Sequence, residues 1–259
     1  MKKLFTILAI VLLATSSARI IEVADAGITD KLRAVIAAKN AGGAPACEYT
    51  TVDFTSPAWT EVDAESDIDI TSSTVTWTSM DSDTTSYVYY DYGAGYFNTD
   101  LTVRMQLNYV RSDNYAEVGY YALSNMVSTG ENDTGDGFTI RVYELGSVDY
   151  IEIRLRENGS NTDEDWWNGI IENGGSPYYL TLMRDDDAGT NSTGLWTLYI
   201  CTTAYCVDGV NLQDTLVINS AAGEQNDFRY MYTVRSYYGD GSRYNSGSIV
   251  NLEWKECLD

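Results

Sequence analysis

Trp166 and Trp167 stand beside Asp163, Glu164, Asp165 and Asn168, a set of side chains suited to a sugar. An indole face stacks on the apolar face of a pyranose, while carboxylate and amide oxygens accept hydrogen bonds from its hydroxyls. Between Arg156 and Tyr178 the sequence reads as one loop of about 20 residues, and loops of that length in compact domains are functional or mobile. Trp166, Trp167, Asp165 and Asn168 are therefore the candidate ligand-binding residues. The competing use of one of these indoles is to plug the core beneath the loop. A second aromatic set comprises Tyr115, Tyr120, Tyr121, Tyr237, Tyr238 and Tyr244. Adjacent tyrosines in a strand face opposite sides, which assigns one of each pair to the core and leaves the other, such as Tyr237, to line a binding face.

Catalysis has less to work with. There is no histidine, which excludes a Ser-His-Asp triad, a Cys-His pair and a histidine metal site. A glycosidase needs only two carboxylates. Glu61-Val62-Asp63-Ala64-Glu65, read as a strand, sets three on one face, so Glu61 and Glu65 are the alternative reading as a hydrolase. The run lies near the start of the domain, where an outer strand is expected rather than a cleft floor. Oxygen-rich stretches at Asp185-Asp186-Asp187 with Asn191, and at Asn132-Asp133 with Asp136, contain the ligand types of calcium. Neither fits the twelve-residue calcium loop. Asp185 and Asp187 are the candidate calcium ligands, and Arg184 with Asp185 is the expected ion pair at a strand end.

Net charge is −22, and Lys255 is the only lysine within 47–259. A field this negative argues against nucleic acid and anionic membrane surfaces as partners. Most of the acid serves solubility. Lys2 and Lys3, the apolar run 4–14 and the small residues Ser16 and Ala18 form the pattern of a secretory signal peptide over 1–18. The run is too short for a permanent membrane span, and no later stretch reaches the length of one. The chain is thus expected outside the cell or in the periplasm. An even set of four cysteines behind such a segment reads as disulfides. Three pairings are possible. Cys201–Cys206, which would bridge a loop, and Cys47–Cys257, which would tie the domain ends together, are favoured.

These residues must be positioned by strands. Segment 19–46 reads as a short helix, with Ile28, Leu32, Val35 and Ile36 at helical spacing, followed by a linker. From 47 to 259 the texture changes to threonine, tyrosine, valine and isoleucine. Alternate positions are apolar in 101–107 and 151–156, which puts one face on a core and the other in solvent. Further strands are expected at 67–71, 73–78, 86–91, 115–123, 137–144, 178–184, 194–201, 214–218, 228–236 and 247–255. A dozen short strands without intervening helices suit two packed antiparallel sheets.

Three stretches carry a resemblance. They are 86–97 (SYVYYDYGAGYF) leading into Asp100-Leu101, 178–185 (YYLTLMRD) followed by Gly189, and 227–232 (DFRYMY) running through Ser236 to Asn251-Leu252. Over roughly 48–255 the chain resembles the LamG-like jelly rolls of the concanavalin A-like lectin/glucanase superfamily. The resemblance implies an all-β, two-sheet antiparallel sandwich with one curved sheet, any ligand lying on its concave side or at the rim loops. It also implies calcium as a frequent ion. Glu61-x-Asp63-x-Glu65 is similar to the strand of some glucanases in this superfamily, the first glutamate there being the nucleophile and the last the acid/base. Fold does not determine activity. The function expected is non-catalytic binding of a glycan or extracellular surface polymer, with a structural or surface-assembly role as the alternative.

Overall fold

In the computed structural model the alternation seen in the sequence becomes, among the described residues, fifteen strands in two sheets. The described residues are 47–258 apart from 64, 82–84, 114, 128–135, 171–176, 190–193, 221–227 and 239–242. The expected signal peptide and helix of 1–46 lie outside them. The strands are β1 (Thr50–Thr51), β2 (Trp59–Asp63), β3 (Ile68–Ile70), β4 (Thr74–Asp81) and β5 (Ser86–Asp91). Then come β6 (Leu101–Ser112), β7 (Glu117–Ser124), β8 (Gly137–Leu145), β9 (Val148–Glu157) and β10 (Ser160–Trp167). The last five are β11 (Tyr178–Asp185), β12 (Leu195–Cys201), β13 (Leu212–Asn219), β14 (Tyr230–Tyr238) and β15 (Tyr244–Lys255). No helix occurs among the described residues.

One sheet runs β13-β12-β11-β6-β15-β4-β3, with β1 added to β15, and the other runs β10-β9-β8-β7-β14-β5-β2. All pairings are antiparallel. This is the two-sheet antiparallel jelly-roll sandwich that the sequence predicts. The core fills the space between the sheets. Leu101, Val103, Met105 and Leu107 enter it from β6, and Ile151, Ile153 and Leu155 from β9. Each such side chain contributes about 1.5–3 kcal/mol on leaving water. Trp196 of β12 stacks on Phe138 of β8 at 4.3 Å. Trp77 of β4 meets Tyr120 of β7 edge-on at 4.4 Å. The Trp77 indole N–H and the Tyr120 hydroxyl both donate to Asn245 Oδ1, each at 3.0 Å, so this polar node in the core is satisfied.

Two expectations need correction. Residues 160–167, read as part of a long loop, form β10, paired along β9 from Ser160↔Glu157 to Trp167↔Ile151. Their acidic, polar sequence hides the strand because β10 is an edge with little core to fill. Tyr120 and Tyr121 were expected on opposite faces, yet both are fully buried. A bulge between Gly119 and Tyr121 inserts one residue and returns Tyr121 to the inner face.

Both favoured disulfides form: Cys47–Cys257, with Cα atoms 6.4 Å apart, and Cys201–Cys206, at 6.1 Å. They end near one spot on the outer face of the larger sheet. There Arg104 lies 4.5 Å from the Tyr49 ring and 5.5 Å from that of Tyr205.

Candidate functional site

The outward face of the seven-stranded sheet gathers side chains that lie far apart in sequence. Residues opposed across an antiparallel pair share a face, so the register can be followed from strand to strand. One transverse row reads Trp166, Glu152, Arg141, Gly119, Arg235, Tyr87, Val62, from β10 to β2. The next reads Glu164, Arg154, Thr139, Ala122, Tyr232, Tyr89, Thr60. A third runs Asn161, Arg156, Gly137, Ser124, Tyr230, Asp91.

The rows share a pattern. Apart from Arg141, their middle positions on β7 and β8 are small: Gly119, Ala122, Ser124, Gly137 and Thr139. Their flanks are tall. In relief this is a trough along β7 and β8 with Trp166, Glu152, Arg154 and Arg156 on one bank and Tyr87, Tyr89, Tyr230, Tyr232 and Arg235 on the other. Gly119, Ala122, Ser124, Thr139, Tyr232 and Arg235 are nonetheless buried, and the exposed part is the rim at Trp166 and Glu164. The tyrosine bank is continuous, with ring centroids 5.7–6.2 Å apart from Tyr230 through Tyr89 and Tyr232 to Tyr87.

On the opposite bank, ion pairs hold the shape. Arg141 pairs with Glu117 and, at 2.8 Å, with Glu152. Arg154 reaches Glu152 at 2.7 Å and Glu164 at 3.1 Å. The Tyr143 hydroxyl donates to Glu152 at 2.9 Å. Burial, followed by the Glu152 charge, pushes the Tyr143 phenol well above its ordinary range. Glu152, Arg141 and Arg154 are all buried, so the alternating glutamate and arginines of 152–156 do not face open solvent.

At the rim, Trp166 is 52% exposed and stands edge-on to Tyr150 at 5.4 Å. Tyr150 in turn stacks on Tyr143 at 5.3 Å. Strand alternation turns Trp167 the other way, where it packs on the core and meets Tyr178 at 5.7 Å. Asp165 shares that side, its Oδ2 accepting the Val217 N–H at 2.8 Å, and Asp163 likewise accepts the Asn219 N–H at 2.7 Å. The expected group of Trp166, Trp167, Asp165 and Asn168 is thus divided. Trp166 faces the trough bank, Trp167 and Asp165 face inward, and Asn168 is exposed just past β10. Tyr237 lies in β14, its side chain outside the described set.

The carboxylates proposed for hydrolysis are not on this face. Glu61 lies on edge strand β2 opposite Val88, a core residue, and so shares the inner side of the sheet. Burial, then Asp63 and Asp69, raise its carboxyl above the ordinary range. Glu65 falls beyond the strand, and Asp63 accepts the N–H groups of Asp67 and Ile68 at 3.0 and 3.1 Å.

At the other acidic stretch, Asp185 Oδ1 accepts the N–H groups of Asp187 and Ala188, at 3.1 and 3.0 Å. Arg184 pairs with Asp186 rather than Asp185, because strand alternation sends the side chains of Arg184 and Asp185 to opposite sides. No three acidic, cysteine or histidine side chains converge among the described residues. Calcium takes six to eight oxygens, so the described residues around Asp185 and Asp187 do not by themselves fit the ion.

The trough itself escaped the sequence reading, although its outward residues occupy alternate positions of strands that were expected. Alternation labels them solvent-facing and cannot show that β5, β7, β8, β9 and β14 bring them side by side.

No family model matches the sequence, and no curated protein matches it. Solved structures do. The VIP36 exoplasmic/lumenal domain, in a form bound to Ca2+ and Man3GlcNAc, is 9% identical over 82% of this chain and 89% of its own, with a TM-score of 0.50. A legume lectin-like domain from Entamoeba histolytica is 10% identical over 78% and 91%, with a TM-score of 0.51. A Bacteroides ovatus xyloglucan-locus GH43B protein is 11% identical over 80% of this chain and 39% of its own, with a TM-score of 0.50. The fold is therefore the concanavalin A-like jelly roll, in the form found in legume-lectin-like domains. At such identities the likeness is one of fold.

Proposed function

We propose that this is a secreted, non-catalytic carbohydrate-binding domain whose glycan lies at the exposed β10 rim of the seven-stranded sheet, with Trp166 as its stacking platform. In this reading 1–18 is removed on export and the two disulfides form in an oxidising compartment. The observation that carries it is the half-exposed Trp166 indole standing edge-on to Tyr150, with the exposed Glu164 side chain on the same face of β10. The indole face supplies the apolar contact a pyranose needs, and the exposed Glu164 carboxylate, held by Arg154, supplies a fixed polar partner. Lectin domains among the structural neighbours, one of them bound to Man3GlcNAc, support the class of ligand.

A glycan-array screen of residues 19–259, with calcium and again with chelator, tests this. Binding in both conditions that is lost in Trp166→Ala is the expected result. Calcium-dependent binding that survives Trp166→Ala would place the site elsewhere, with the Asp185–Asp187 turn the first place to look. No binding by folded protein would favour a surface-assembly role instead.

A further inference from the structure

We propose, building on the carbohydrate-binding reading, that the glycan is an amino sugar polymer with free ammonium groups, one of which lies over the Trp166 indole beside the Glu164 carboxylate. Residues 164 and 166 are two apart on β10 and pair with Arg154 and Glu152 of β9. Both therefore point outward from one face, about 7 Å apart along the strand, and a single sugar ring can touch the two. Glu164 has 47% of its side chain exposed and Trp166 is 52% exposed. Neither is closed off by the packing that buries the middle of the sheet.

The indole is open to a cation. Tryptophan gives the strongest cation–π contact of the aromatic side chains, because its quadrupole makes the ring face negative. Arg141 lies 4.6 Å from the Tyr143 ring and Arg235 5.3 Å from that of Tyr232, whereas no arginine or lysine stands over Trp166 among the described residues. The neighbouring carboxylate is half engaged. Glu164 Oε2 accepts from Arg154 at 3.1 Å and from Asn161 Nδ2 at 3.4 Å. Its Oε1 takes no hydrogen bond from the described residues and can accept one from an ammonium.

Charge supports the same conclusion at two ranges. In the ion-pair network Glu117, Glu152 and Glu164 meet Arg141 and Arg154, three carboxylates to two guanidiniums. Glu152 is buried and Glu117 nearly so, which makes Glu164 the carboxylate of the three that a ligand can reach. Arg156, one row further from Trp166, donates to the Gly159 carbonyl at the hairpin turn. At long range, a net charge of −22 draws cationic polymers in and keeps acidic ones out. Salt at physiological strength screens that field beyond about 8 Å. The field therefore speeds the encounter, and the contact at Trp166 and Glu164 sets the preference. An N-acetylated sugar of the same linkage keeps the stacking face and lacks the charge.

Calorimetric titration with a β-1,4-linked glucosamine tetrasaccharide, its N-acetylated counterpart, dextran and mannan tests the proposal, in mildly acidic buffer that keeps the amines protonated. The glucosamine tetramer is expected to bind about tenfold more tightly than any neutral probe, as a cation–π contact and a charge-assisted hydrogen bond supply. That advantage should disappear in 1 M salt, where the screening length is about 3 Å. Glu164→Gln should bring the tetramer to the level of the N-acetylated form. Asp208→Asn, which removes an equal charge from an exposed loop outside the site, should change its affinity by less than about twofold. Thermal melting checks that both variants fold. Equal losses in the two variants would mean attraction by the overall field alone and would overturn the proposal. Neutral probes bound as tightly as the charged one, in a manner sensitive to Trp166→Ala, would overturn the ammonium preference while leaving the carbohydrate reading intact. Folded protein that binds none of the four would overturn both.

Discussion

Trp166 and Trp167 are neighbours in the chain with opposite surroundings, and β10 is the reason. As an edge strand it presents one indole to the trough and the other to the core. Replacing Trp166 by alanine should therefore leave the melting temperature nearly unchanged while removing glycan binding. Trp167→Ala should cost about 3 kcal/mol by thermal or urea unfolding, because it empties a site packed against Tyr178 and the core. The Trp167 ring also folds back over Gly169, where an added Cβ would overlap it. Glu61 supplies a converse test. Its carboxyl is raised by burial and by neighbouring Asp63 and Asp69, so its charge is a cost to the folded state near neutral pH. Glu61→Gln should raise the melting temperature slightly. A fall would mean that the carboxylate makes a contact its surroundings do not suggest.

At the scale of elements, the lateral edge of the sandwich is the informative place. β10 and β13 are edge strands of different sheets, and an unpaired edge invites pairing with another chain. Here the Asp163 and Asp165 carboxylates take the Val217 and Asn219 N–H groups on the exposed side of β13. They fasten one sheet to the other and cover part of that edge. Asp163→Ala with Asp165→Ala should cost about 3 kcal/mol in total, the low end for two hydrogen bonds with a charged partner. The same variant should also show concentration-dependent association by size-exclusion chromatography. A monomer of unchanged stability would mean the clasp contributes nothing. This explains why acidic residues occupy a strand, and why the segment reads as a loop: its side chains serve an edge rather than a core.

For the whole molecule, stability rests on the two-sheet core and on covalent closure of the domain ends. Cys47–Cys257 spans 210 residues, whereas Cys201–Cys206 spans 5. In the loop-entropy account, opening the first costs about 5 kcal/mol and the second about 2 kcal/mol. Urea denaturation of paired serine variants should reproduce that order. Alkaline pH should also unfold the protein. Burial, then the nearby Glu253, push the Tyr205 phenol up to about 12, and Tyr120 and Tyr121, fully enclosed, are raised well above their ordinary value of 10.0. A raised phenol contributes stability that is fully present below about pH 10, where unfolded tyrosine is still protonated. That contribution disappears as pH rises through the folded values. Melting temperatures measured from pH 9 to 12 should therefore begin to fall above 10.

Period-two alternation, the spacing of turns and the parity of the cysteines determined that this chain folds as a disulfide-closed sandwich, because they depend on neighbours along the chain. Strand positions such as 86–91 and 178–184 follow from that local chemistry, and so does the exclusion of histidine-based catalysis. Where each outward residue ends up depends on which strands become neighbours. Glu152, Arg141, Gly119 and Arg235 share a row only because β9, β8, β7 and β14 pair in that register. The split between Trp166 and Trp167, the loss of Asp165 to an edge and the burial of both Tyr120 and Tyr121 have the same origin. Pairing and bulges are set by packing across the whole sandwich, and no window of sequence contains that information.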